Sequence, residues 1–136
     1  MDTRVVTSSF LPTDRCPCFS GQGYPECCNR YHRGDALAPT AEQLMRSRYS
    51  AFAVGDAAYL LATWHPLTRP ASLELDASLV WTRLVIDRTS GGGPFDREGL
   101  VEFTAHYRSD EERGTQHETS RFERVDRVWY YVDGVE

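Results

Sequence analysis

No lysine occurs anywhere in the 136 residues, so all fifteen basic side chains are arginine. Against 20 carboxylates they leave a net charge of -5. An acidic chain gains little from counterion release on a phosphate backbone, which argues against bulk nucleic-acid binding. Arg30, Arg33, Arg46 and Arg48 form the one dense basic candidate, and scattered surface charge explains them equally well. Long apolar runs are also missing. The opening MDTRVVTSSFLPTDR has no hydrophobic signal core and is too short and polar to span a bilayer, so a cytoplasmic protein with no membrane partner is expected. Repeats and low-complexity tracts are absent. So are a nucleophile elbow, a phosphate-cradling glycine loop and a histidine–carboxylate zinc triad. Gly91–Gly93 reads as a hairpin turn, because no helix follows it directly. No residue is therefore assigned a catalytic role, and a binding protein is expected rather than an enzyme.

Cysteine is scarce but concentrated. All four fall within CPCFSGQGYPECC, as C-x-C-x8-C-C. In a reducing compartment such thiols serve better as metal ligands than as a disulfide scaffold. Four thiolates around one ion give a closed tetrahedral site with metal–sulfur bonds of about 2.3 Å. Gly21, Gly23 and Pro25 in the spacer let the chain reverse, and ion binding supplies folding energy to a segment with few aliphatics. One zinc ion is the first choice, and iron also suits sulfur ligands. Cys16, Cys18 and Cys27 are three ligands. Cys28 is the preferred fourth, although adjacent cysteines must both turn toward one ion, and His32, four residues further on, competes. Buried free thiols or a reducible disulfide form the alternative without metal.

Apolar residues make up 40% of the chain, enough for one core. Residues 1–14 read as a flexible leader and 15–34 as the metal knuckle. From 35 to 136 the pattern is helical, then stranded. Thr40 and Gln43 form a capping box ahead of Leu44, Met45, Tyr49 and Phe52 at helical spacing, and Gly55 terminates the helix. Asp56 caps a second helix from Ala57 to about Trp64, stopped by Pro66. A short third helical piece is expected at Leu73–Leu79. Strands follow at Leu84–Asp87, Leu100–Tyr107, Gln116–Val125 and Val128–Val132, with Ser90–Pro94, Ser109–Gly114 and Asp126–Arg127 as turns. Val101, Phe103, Ala105 and Tyr107 alternate against Glu102, Thr104 and His106. The fold class is α+β: a knuckle, two or three helices and an antiparallel meander.

The cysteine segment resembles the SEC-C knuckle, with Pro17, Ser20, Gly21 and Tyr24 at its key positions and Phe19 in place of the usual glycine. With LMRSRYSAF, TWHP, VEFTAHYR, HETSRF and WYYVDG, the chain is identified as similar to the YchJ-like family of small bacterial proteins over residues 15–134. The resemblance implies a cone-shaped body like that of nuclear transport factor 2 (cystatin-like, helices packed into a curved antiparallel sheet). It implies a metal on the four cysteines. The same knuckle in the translocation ATPase SecA contacts the export chaperone SecB and ribosomes, so an adaptor with a protein or ribosomal partner is the function implied by analogy.

Cones of this shape often enclose a pocket, and the alternative function is a small-molecule-binding or catalytic cone with the knuckle as accessory. Arg48 shares a helical face with Leu44, Ala51 and Phe52, so it is expected toward the sheet, paired with Glu102 or Glu118 near the Trp64–His65 helix end. Arg48, Trp64, His65, Glu102 and Glu118 are the pocket candidates. A buried arginine with carboxylates serves anion binding or acid–base work, and it serves equally as a structural pin between helix and sheet.

Overall fold

A computed structural model describes residues 15–135, apart from Phe19, Ala77 and Glu111. The expected leader at 1–14 lies outside the described residues. Three helices, α1 (Cys28–His32), α2 (Ala41–Val54) and α3 (Ala57–Ala62), precede four strands: β1 (Val80–Gly91), β2 (Glu98–Arg108), β3 (Arg113–Val125) and β4 (Val128–Gly134). The strands form an antiparallel meander in the order β1-β2-β3-β4, with the helices packed on one face.

Helix α2 begins where Thr40, in extended backbone, accepts the Gln43 N–H on Oγ1 at 3.1 Å. It ends at Gly55, whose φ of +81° would strain any residue with a Cβ. Asp56 then accepts the Tyr59 N–H at 3.0 Å and opens α3. Helix α3 stops two residues before the expected Trp64. Residues 63–65 instead run beside the edge of β4: Tyr131 N–H donates to Thr63 O at 2.8 Å, and His65 N–H donates to Tyr131 O at 2.7 Å. Pro66 favours extended backbone at His65, and this short parallel bridge covers an edge that would otherwise be open.

The expected helix at Leu73–Leu79 does not form. Asp76 Oδ1 accepts both the Ser78 N–H and the Ser78 hydroxyl, at 2.9 and 2.6 Å. This local turn competes with helical pairing. Strand β1 is far longer than the expected Leu84–Asp87, because bulges at Trp81/Arg83 and Ile86/Arg88 break the alternation that marks a strand in sequence. The other strands extend beyond their expected ends by one to three residues. Asp126 and Arg127 form the expected tight turn, with φ of +52° and +73°.

Leu44, Met45 and Tyr49 of α2 pack on Leu84, Val101, Phe103, Ala105, Phe122 and Trp129 of the sheet, as the alternation in β2 requires. Tyr31 of α1 belongs to the same core, so the knuckle and the body share a packed residue. The β1–β2 hairpin meets the start of α2 closely: Gly92 O accepts the Ala41 N–H at 2.9 Å. A Cβ on Gly99 would lie 2.6 Å from Gly92 Cα and 3.1 Å from Ala41 Cβ. Gly99→Ala is therefore expected to destabilise the fold by about 1–3 kcal/mol through overpacking, read by chemical denaturation.

Candidate metal centre and cone cavity

The knuckle is a tight loop. Arg15 and Gly23 form an antiparallel bridge, and Cys16 N–H donates to Gln22 O at 2.9 Å, so Ser20–Gln22 form the exposed tip. The Arg15 guanidinium donates to Gly21 O across the tip. A single turn of 3-10 helix at Tyr24–Glu26 leads to Cys27, whose φ of -114° and ψ of -112° fall outside both the helical and the strand regions. That conformation turns both Cys27 and Cys28 toward the first pair, as adjacent ligands require.

The four sulfurs of Cys16, Cys18, Cys27 and Cys28 lie within 4.8 Å of one another. Cys18 and Cys27 Sγ are 3.6 Å apart, and Cys27 and Cys28 Sγ are 3.9 Å apart. A tetrahedron with bonds of about 2.3 Å has sulfur–sulfur edges of about 3.8 Å, so these separations fit four ligands on one ion. All four side chains are buried and none is in a disulfide. Without a cation the thiols hydrogen-bond one another. Contacts from Cys18 and Cys28 hold Cys16 far below the usual thiol range, Cys18 is pushed up to about 12 by its bond to Cys16, and Cys28 is pushed higher still by its bonds to Cys16 and Cys18. Four thiolates can coexist there only around a cation. The soft donor set suits zinc or iron, and Cys16, Cys18, Cys27 and Cys28 would hold it.

His32, the competing fourth ligand, is held elsewhere. Its Nε2 donates to Ser47 O at 2.9 Å, and its Nδ1 accepts from the Tyr24 hydroxyl at 2.6 Å. A carbonyl oxygen only accepts, so the hydrogen is on Nε2 and neither nitrogen is left for an ion. The ring sits between Tyr24 and Tyr59, with centroids 5.6 and 4.6 Å away. Its role is to dock the knuckle on α2.

Other contacts reinforce this docking. Cys16 Sγ meets Ser50 Oγ at 3.4 Å, Val54 packs on the thiol cluster, and Arg46 Nη1 donates to Cys18 O at 2.7 Å while its Nε pairs with Glu42. Ser47, Ser50 and Arg46 carried no metal signature in sequence, although two small serines a helical turn apart mark a face that another segment can approach closely. The basic patch does not assemble. Arg30 lies over the Tyr31 ring, Arg33 pairs with Asp35, Arg46 ties the knuckle down, and Arg48 faces the opposite side.

Between α2, Trp64 and the sheet lies a cavity of about 240 Å³, walled by Phe52, Trp64, Trp81, Phe103 and Tyr131. Arg48 is there, only 4% exposed. The pairing expected for it is corrected: no carboxylate lies within 4 Å of Arg48 among the described residues. Its Nη1 donates to Leu60 O and to Thr63 Oγ1, both at 2.7 Å, and its guanidinium lies over the Tyr131 and Trp64 rings at 4.6 and 5.3 Å. Burial lowers Arg48 to about 10, still fully cationic at neutral pH.

Glu118 lines the cavity, held by the Ser120 hydroxyl at 2.6 Å and the Tyr131 hydroxyl at 3.3 Å, both donating to Oε2. Glu102 does not join it. Strand register sets Glu118 opposite Phe103, whereas Glu102 is opposite Thr119 on the outer face, where it pairs with Arg88 at 3.0 Å and His117 at 2.7 Å. His65 is excluded too. Trp64 points into the cone, and His65, the next residue along an extended segment, points out and meets Glu123 at 2.7 Å. Ser120, Thr63 and Gln116 complete the site and were not candidates in sequence. Ser120 follows Glu118 by two residues in β3 and so shares its strand face. A larger cleft of about 390 Å³ lies between α1, α3 and β4; His32 and Thr63 line it, but Arg48, Trp64, His65, Glu102 and Glu118 do not.

These features define a protein class: a cone of the nuclear transport factor 2 type with a four-cysteine knuckle docked on its first long helix. The model of the YchJ middle NTF2-like domain matches residues 40–134, and the chain belongs to the YchJ-like family. The UPF0225 protein SCO1677 of Streptomyces coelicolor is 56% identical over 124 residues, covering 91% of this chain and 97% of the relative. The UPF0225 protein Cgl1438/cg1626 of Corynebacterium glutamicum is 52% identical, over 88% and 95% of the two chains. Among solved structures, RPA3114 from Rhodopseudomonas palustris, a SEC-C motif containing protein, is similar with a TM-score of 0.76 and 30% identity, over 88% of this chain and 96% of that one. A SEC-C motif containing protein from Psychrobacter arcticus gives a TM-score of 0.74 at 27% identity, over 91% and 84%.

Two outcomes follow from the geometry. Cys28→Ser is expected to lower metal content sharply in elemental analysis, while His32→Ala retains one metal per chain and lowers the melting temperature by loosening the knuckle. Arg48→Met removes two hydrogen bonds from a charged donor, each contributing about 1.5–3 kcal/mol. It is expected to destabilise the body in denaturant titrations and leave metal content unchanged.

Proposed function

We propose that this protein is a metal-binding accessory protein whose knuckle holds one structural zinc ion and presents its outer loop to a protein partner. The observation that carries the reading is the closure of the sulfur cluster. Four buried thiols at tetrahedral spacing leave no position for a substrate, so the ion would act by shaping the segment rather than by chemistry. Tight ligation also withdraws the thiolates from redox use. The exposed Ser20–Gln22 tip and the Arg15 side chain are the surface such a site would rigidify. The resemblance of the knuckle to that of SecA makes the export chaperone and the ribosome the first partners to test. The test is affinity capture from lysate, compared by mass spectrometry between the wild type and a Cys27→Ser, Cys28→Ser form. Purified chaperone or ribosomes retained only by the metal-loaded protein support the reading, and equal retention by both forms overturns it.

A second reading, a ligand-binding cone, is favoured by one observation. The cavity holds a buried cation with no counter-carboxylate in contact.

A further inference from the structure

Resting on that second reading, the hydrogen bonding of Arg48 narrows the ligand. Nη1 accounts for both of its bonds, to Leu60 O and Thr63 Oγ1, so no protein group among the described residues pairs with Nε or Nη2. Tyr131 and Trp64 meet the guanidinium through their rings, an arrangement that leaves its edge open. The Nε–Nη2 edge is the planar fork that matches the two oxygens of a carboxylate. That edge is not sealed: Arg48 lines the cavity, and its unpaired nitrogens keep accessible surface that a bound group can reach. A second donor nearby is also unmatched: the Trp64 indole Nε1 is buried without a partner. The cavity walls are mainly aromatic and apolar, with Gln116, Glu118 and Ser120 as the other polar members.

We propose that the cone cavity is a binding site for a small carboxylic acid with an apolar body. Its carboxylate takes the Nε–Nη2 edge of Arg48, and its body fills the space between Trp64, Trp81 and Phe103. Inorganic anions lack the apolar body and would be rejected by these walls. Glu118, the one carboxylate lining the cavity, is turned by its bonds to Ser120 and Tyr131 but still opposes a second negative charge. It therefore sets a ceiling on affinity and gives the proposal a test of sign.

The probes are phenylpropionate and hexanoate, their primary amides, and inorganic phosphate, each titrated into the metal-loaded protein. The Trp64 indole resonance and backbone amide shifts report binding. Both acids are expected to shift Trp64, Trp81 and Tyr131 saturably, with the amides weaker by about tenfold or more and phosphate inert. Glu118→Gln is expected to tighten the acids several-fold, and Arg48→Gln to abolish their advantage over the amides. Should Arg48→Gln fail to fold, Ala105→Leu, which fills the cavity and keeps the cation, is expected to abolish binding without loss of metal. Amides equal to acids, phosphate equal to both, shifts centred elsewhere, weaker binding in Glu118→Gln, or no saturable shift at millimolar acid each overturn the proposal. Binding at the cavity that is not selective for acids would leave the ligand-binding cone standing and remove only the carboxylate.

Discussion

Helix α2 is enclosed on two sides, and the rest of the structure takes its place from that. One side gives Leu44, Met45, Arg48 and Tyr49 to the sheet and its cavity. The other gives Ser47, Ser50 and Val54 to the knuckle, and Arg46 reaches across to Cys18 O. A helix buried on one face alone can tolerate large residues on the other. Here the second face must be small and hydrogen-bonding. Ser47 and Ser50, both with no exposed surface, satisfy it. Larger side chains there would hold the thiol cluster away from the helix. The polar groups buried by this arrangement are nearly all paired, as a stable interior demands.

The four-cysteine cluster was legible in sequence because its information is local. Four cysteines, two glycines and two prolines within thirteen residues specify a loop that closes on itself, whatever the body does. The caps at Thr40 and Asp56, the stop at Gly55 and the Asp126–Arg127 turn were legible for the same reason. The cavity was legible only in part. Arg48 could be placed by helical period, and Trp64 by the end of its helix. Whether Glu102 or Glu118 faces Arg48 depends on strand register and face. Here the alternation was already decisive: Val101 and Phe103 face inward, which sends Glu102 outward. Setting Glu102 beside Arg48 overrode that alternation in favour of a charge pair. The extent of β1 was hidden by two bulges, and the chain at 63–65 by an edge pairing with a strand more than sixty residues away. Neither leaves a periodic trace.

The buried arginine shows how a charge can be retained without an ion pair. A carbonyl oxygen, a threonine hydroxyl and two aromatic faces meet the guanidinium, and burial lowers it only to about 10. An adjacent carboxylate would have consumed the fork. Glu118 is instead drawn to the Ser120 and Tyr131 hydroxyls, and Gly134 lets it lie close to the backbone: a Cβ at that position would come within 2.9 Å of its carboxyl group. Positive and negative groups therefore share one cavity while each keeps an open side, a pattern more useful for holding a polar ligand than for pinning helix to sheet.

Helix α3 joins the two sites physically. On the knuckle side the Ser47 hydroxyl bonds Leu44 O at 2.8 Å and lies 2.7 Å from the Tyr59 hydroxyl, beside the His32 ring. On the cavity side Arg48 bonds Leu60 O and Thr63 Oγ1. Consecutive residues of α2 thus hold consecutive residues of α3 from opposite sides. The bonds at Leu60 and Thr63 occupy Nη1 and aim the remaining edge of the guanidinium. An ion that fixes Tyr24, His32 and the knuckle against Ser47 would therefore also steady the short helix that sets that aim. A six-residue helix has too little intrinsic stability to hold such a position by itself. Its order must come from the groups on either side of it, and one of those sides is the knuckle.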